Sequence, residues 1–148
     1  MISGNTIENI GDEGIFATGN VDGLQILNNV ITNTGLNTGA SGNGIELLGT
    51  SGYAFIDGNI ITNAGHYGIW IKNPNSNSSF DVTNNTVNGA DMGGIRVDGN
   101  ALNVSANTVT DFETIGIHVL NSDGVNIFAN NVYGSEGLGI QLEDSNDA

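Results

Sequence analysis

The chain has 148 residues, with 23 Gly, 24 Asn, one Pro and no Cys, and its 16 acids against two bases give a net charge of −14. A polyanion that offers a phosphate only Lys72 and Arg96 is excluded from nucleic-acid binding, and without cysteine it has no disulfide frame and no thiolate zinc site. Charged residues at 12% are too few for an ordinary helical protein, and no apolar run approaches the roughly 20 residues of a membrane span.

In chain order, a first unit opens at Ile2, sets Asn5 two residues before Ile7, and reaches an alternating stretch at Gly14-Ile15-Phe16-Ala17. The second repeats these marks at Leu24, Ile26, Asn29, Ile31 and Gly44-Ile45-Glu46-Leu47; its longer Asn-to-Gly interval predicts a six-residue insertion within 33–43. The third runs through Ala54, Ile56, Asn59, Ile61 and Gly68-Ile69-Trp70-Ile71. The polar run of residues 73–79 then reads as a loop, because the pattern resumes on schedule at Phe80. A fourth unit has Phe80, Val82, Asn85, Val87 and Gly94-Ile95-Arg96-Val97; a fifth has Leu102, Val104, Asn107, Val109 and Gly116-Ile117-His118-Val119. The sixth has Val125, Ile127, Asn130, Val132 and Gly139-Ile140-Gln141-Leu142.

All 29 aligned positions are apolar in a chain that is 38% apolar, so they are read as columns of one core. Alternation with period two predicts strands with one buried face. A repeat of 22 to 30 residues leaves no room for crossover helices, so the strands are expected to stack in parallel, about 4.8 Å apart. The expectation is an all-β solenoid of about six coils, with residues 1–148 as a single domain. Asn5, Asn29, Asn59, Asn85, Asn107 and Asn130 form a column that reads as an amide ladder, each side chain bonding the next coil; the competing reading is tolerance of turn dihedrals. The Gly before each third strand reads as a sharp corner at positive φ.

These Asn-x-Ile/Val and Gly-Ile-x-Val/Leu marks resemble those of the right-handed parallel β-helix proteins of the pectate-lyase-like superfamily, over the whole chain. The resemblance implies a single-stranded right-handed parallel β-helix. It does not choose an activity, because that scaffold carries polysaccharide lyases, hydrolases, epimerases, tailspikes and surface proteins alike.

Two outward columns flank the third strands: Phe16, Glu46, Trp70, Arg96, His118, Gln141, and Thr18, Leu48, Lys72, Asp98, Leu120, Glu143. Both bases and the only Trp fall there, so Glu46, Trp70, Lys72, Arg96, Asp98 and His118 are candidate glycan contacts, along the sheet where the resemblance places a glycan groove. The competing reading is a surface that satisfies itself, with Lys72 paired to Asp98 and Arg96 over Trp70. A glycosidase is disfavoured, since Glu46, Asp98 and Glu143 are spaced two coils apart, about 9.6 Å by strand spacing. Were the chain an enzyme, a uronate lyase or epimerase using Arg96, His118 and Lys72 is the expectation, although −14 repels polyuronates.

Acids also gather ahead of the third strands at Asp12, Glu13, Asp91, Asp111, Glu113 and Glu136. Asp91, Asp111, Glu113 and Glu136 are the calcium candidates, against a reading as solvated charge, and no other cofactor is expected. His66 and Tyr67 are expected to face solvent. The sequons at Asn77, Asn84 and Asn103 carry no weight in a chain this rich in Asn and Thr.

No polar cap precedes Ile2 or follows Leu142, and a second copy following directly would keep the repeat in phase. The leading expectation is therefore a non-catalytic extracellular or cell-surface module, whose partners are identical subunits stacked head to tail or adjoining coils of a parent chain. The alternative is a carbohydrate-active module that binds polysaccharide on the Trp70, Arg96 and His118 face.

Overall fold

The computed structural model describes residues 1–37, 42–72 and 78–145, so much of the predicted 33–43 insertion and of the 73–79 loop, with the sequon at Asn77, lies outside the described residues. The first coil comprises β1 (Ile2–Ser3), β2 (Thr6–Glu8) and β3 (Ile15–Asn20). It is followed by β4 (Leu24–Leu27), β5 (Val30–Thr34) and a long β6 (Ile45–Asp57) that runs on into the third coil, completed by β7 (Ile60–Ala64) and β8 (Tyr67–Lys72). The fourth is β9 (Ser78–Thr83), β10 (Thr86–Ala90) and β11 (Gly93–Asp98), and the fifth β12 (Ala101–Ser105), β13 (Thr108–Phe112) and β14 (Ile115–Leu120). The sixth is β15 (Asn126–Phe128), β16 (Asn131–Tyr133) and β17 (Leu138–Glu143).

Every strand pairs in parallel with its equivalents in the coils before and after, giving a solenoid with three faces. The first and third faces form one eleven-stranded sheet because β6 belongs to both; the second face is a separate six-stranded sheet. Alternation places the predicted columns inside: Ile26, Ile56, Val82 and Val104 on the first face, Ile31, Ile61, Val87 and Val109 on the second, and Ile45, Ile69, Ile95 and Ile117 on the third are all buried. Each such side chain contributes about 1.5–3 kcal/mol by leaving water.

The corner between first and second faces is made by two residues. The first is left-handed in every coil: Gly4, Asn28, Gly58, Asn84, Ala106 and Ala129 have φ between 52° and 66°. The second is the predicted Asn, whose own φ is not positive, so the turn-dihedral reading belongs to its neighbour. Each Asn donates both its backbone and side-chain N–H to the Oδ1 of the next Asn, from Asn5 to Asn130, at 2.8–3.1 Å. A second ladder, on the αL residues Asn9, Asn33 and Asn63, was not read from the sequence: Asn33 Nδ2 donates to Asn9 Oδ1 at 3.0 Å and Asn63 Nδ2 to Asn33 Oδ1 at 3.1 Å.

Two expectations are corrected here. The glycines before the third strands, Gly14, Gly44, Gly68, Gly94, Gly116 and Gly139, are not at positive φ. Glycine is needed in the first five because a Cβ would strike the β-branched second-face side chain and the carbonyl of the next coil, as at Gly94 against Val109 and Gly116. Leu102, expected in the core, is 45% exposed: a register shift between Ala101 and Asn103 sets Ala101 opposite Phe80 and turns Leu102 out.

Outside the second face, two columns run along the solenoid: Thr6, Val30, Ile60, Thr86, Thr108, Asn131, and Glu8, Thr32, Thr62, Asn88, Thr110, Tyr133. The coil of β15, β16 and β17 leaves its inner positions open, with Ile140 49% and Leu142 41% exposed. Among the described residues no helix is long and apolar enough to cross a membrane.

Candidate functional site

Strand register brings the predicted face together. Glu46, Trp70, Arg96, His118 and Gln141 stand side by side on β6, β8, β11, β14 and β17, with Lys72 and Asp98 paired in the adjacent column. Outward orientation does not leave them open, however. Glu46 is 6% and His118 7% exposed, while Trp70 and Arg96 are half-buried.

Trp70 and Arg96 are covered by the first residue of β8 and the one before it. Tyr67, expected to face solvent with His66, is 7% exposed and His66 is half-buried. The two rings meet edge-on at 4.6 Å, and each lies 5.4 Å from the Trp70 ring. Arg96 sits 6.0 Å from the Trp70 centroid and 5.8 Å from that of Tyr67, and donates from Nη1 to Tyr67 Oη at 3.2 Å. Trp70 Nε1 and Arg96 Nε are buried without a hydrogen-bond partner.

The Lys72–Asp98 ion pair does not form. Although the two are register partners, Lys72 Nζ lies 5.2 Å over the Trp70 ring, and Asp98 accepts from Asn121 at 2.9 Å. Both bases of the chain thus converge on one indole. Arg96 and His118 are also register partners, but Arg96 is committed to Tyr67 while His118 Nε2 lies 3.0 Å from Glu143 Oε2.

A buried residue absent from the sequence reading organises the other end. Asn43 donates to Glu46 Oε2 at 2.6 Å, and its Oδ1 accepts from the Tyr67 backbone N–H at 3.0 Å and lies 3.3 Å from His66 Nδ1. Burial pushes the Glu46 carboxyl up; the Asn43 bond opposes this and the nearby Glu13 reinforces it. Burial, then the Arg96 charge, holds His66 below the usual imidazole range. Asn43 stands in the repeat, just before Gly44 as Tyr67 stands before Gly68, but the side chains at that position differ from coil to coil, so the repeat marks the place and not the role.

The calcium candidates divide between two shallow grooves at the second-to-third corner. Asp91, Asp111 and Glu113 line one of about 410 Å³, and Glu113 and Glu136 line the other. Asp111 already accepts from Asn88 at 3.0 Å, and no group of three or more His, Asp or Glu that could hold an ion occurs among the described residues.

The protein is thus a parallel β-solenoid with an aromatic and basic cluster on its third face. Residues 43–148 match the family described as the right handed beta helix region, and the chain belongs to that family, consistent with the pectate-lyase-like resemblance of its repeat. No curated protein and no solved structure matches the chain.

Proposed function

We propose that this chain is a non-catalytic structural module of the cell exterior, a β-helix that stacks end to end into filaments or continues a longer β-helical surface protein. The observation that carries this reading is the continuity of the repeat: the Asn ladder joins every coil to the next in one register, while the third-face side chains bond one another, Arg96 to Tyr67, His118 to Glu143 and Glu46 to Asn43. Acids at both ends, Glu8, Asp12 and Glu13 against Glu136, Glu143 and Asp144, oppose stacking until salt screens them. Light scattering and electron microscopy at two salt concentrations test it. Salt-promoted rods growing by six coils, about 29 Å per subunit, are expected, and Ile140→Glu should abolish them. A monomer at every concentration and salt overturns self-stacking and leaves only continuation within a longer chain.

A second reading, a carbohydrate-active module using Trp70, Arg96 and His118, is favoured by one observation: both bases flank an indole whose N–H has no acceptor. Titration with neutral and uronic oligosaccharides distinguishes it. Binding lost in Trp70→Ala and Arg96→Ala, with assembly unchanged, supports this reading; no heat with any sugar removes it.

A further inference from the structure

The second face differs from the rest of this acidic surface. Its central four strands, β5, β7, β10 and β13, present Val30, Ile60, Thr86 and Thr108 in one outward column and Thr32, Thr62, Asn88 and Thr110 in the other, the last two bonded to each other at 2.7 Å, and in the two full columns Glu8 is the only charge. The hydroxyls of Thr32, Thr62, Thr86 and Thr108 make no hydrogen bond among the described residues, and Val30 and Ile60 are 38% and 47% exposed. β-Branched side chains are stiff at χ1, so this is a pre-ordered grid of methyl and hydroxyl groups.

From this grid we propose that the second face binds the surface of ice. Its spacings follow from the strands: about 4.8 Å between neighbours and about 6.7 Å between alternate residues along a strand. Those of ice follow from the hydrogen bond. Water oxygens about 2.75 Å apart in tetrahedral array put second neighbours about 4.5 Å apart, with an axial repeat of about 7.3 Å. The misfit of about 0.3 Å per strand accumulates to about 0.9 Å across four strands, below half a lattice step. Stiff hydroxyls can therefore occupy successive lattice positions while the methyl groups of the same column fill the space between them. Charges would hold a competing liquid shell, and the face keeps them to its margins: Glu8 at one end, and Asp111 at the edge, where it accepts from Asn88 at 3.0 Å. A second copy is a poor occupant: six strands present roughly 250 Å², against about 800 Å² per partner in a stable interface.

The test is growth of a single ice crystal in the presence of the 148-residue chain. The wild type should facet the crystal and open a gap between melting and growth temperatures, and fluorescently labelled protein should be incorporated into a growing ice front. Thr62→Tyr and Thr86→Tyr, with unchanged circular dichroism, should reduce the gap at least tenfold. Asn126→Tyr, on the first face, should not. No faceting and exclusion of labelled wild type from the ice overturn the proposal without recourse to any variant. So does equal loss in Asn126→Tyr, or a wild-type dimer in the ultracentrifuge that Thr62→Tyr abolishes, which would seat a second copy on the face.

Discussion

Asn85 and Asn107 stand one coil apart with a single oxygen doing two jobs: Asn107 Oδ1 accepts the Asn85 backbone N–H at 2.9 Å and its side-chain Nδ2 at 3.1 Å. The remaining Nδ2 proton of Asn85 reaches back to the Ile56 carbonyl at 3.0 Å, so one buried amide ties three coils together. Replacing it by Ala strands both Asn59 donors and the Ile56 carbonyl out of reach of water. At about 1–3 kcal/mol for each unsatisfied buried group, partly relieved by relaxation, Asn85→Ala should lose about 3 kcal/mol in urea unfolding. Asn5→Ala, at an exposed rung, should lose under about 1 kcal/mol. Equal losses at the two positions would mean that the ladder is not what makes Asn85 costly to remove.

The corner glycines invite a paired comparison. At Gly94 a Cβ would fall against Val109 and 2.6 Å from the Gly116 carbonyl oxygen, both fixed by the neighbouring coil, whereas at Gly139 nothing lies within 4 Å. Gly94→Ala should therefore destabilise by about 2–3 kcal/mol, in the range of overpacked cores, and Gly139→Ala should change stability by no more than about 0.5 kcal/mol. A comparable loss at both would assign the glycine column to backbone dihedrals after all.

Most of the coil was legible in the sequence because its repeat is one of inward side chains, and burial imposes the same apolar demand at the same place in every turn. Ile26, Ile56 and Val82 could be aligned by eye for that reason. What escaped was set by contacts between coils rather than within one. Leu102 obeys the alternation yet points out, because a bulge in β12 answers to its pairing with β9. The corner glycines answer to a carbonyl one coil away, and the Tyr67 ring to Arg96, one coil on. Register alone told which residues of the face are neighbours; it could not tell that Lys72 turns to the indole instead of Asp98.

Ala106 holds a left-handed backbone, φ 54°, at the corner where four of the other five coils place Gly or Asn. Its Cβ strains that conformation at a cost of roughly 1–2 kcal/mol, part of which Gly would return to the unfolded state as chain entropy. Ala106→Gly should thus raise stability by about 0.5–1 kcal/mol, and Ala129→Gly, at φ 55°, by a similar amount. The exposed position of Ala106 removes packing from the comparison, so a thermal melt suffices, and a lowered midpoint would count against strain there.

Glu46 sets a pH dependence whose sign can be worked out. Burial raises its folded-state pKa above the ordinary 4.5, so between the two values the native state holds the proton more tightly than the unfolded chain. Its contribution is fully present below 4.5 and is lost as pH rises through the folded value. His66, shifted down, acts oppositely: stability falls as pH drops below 6.5, where the unfolded chain takes up a proton that the buried ring resists. Glu46→Gln keeps an acceptor for Asn43 but no longer ionises, while His66 and Asp12 are common to both proteins and drop out of the difference. The midpoint of Glu46→Gln relative to wild type should therefore climb between pH 4 and 7, with most of the change above 4.5. A difference that stays flat with pH would show that Glu46 ionises in the folded protein as it does in water, the Asn43 bond offsetting its burial.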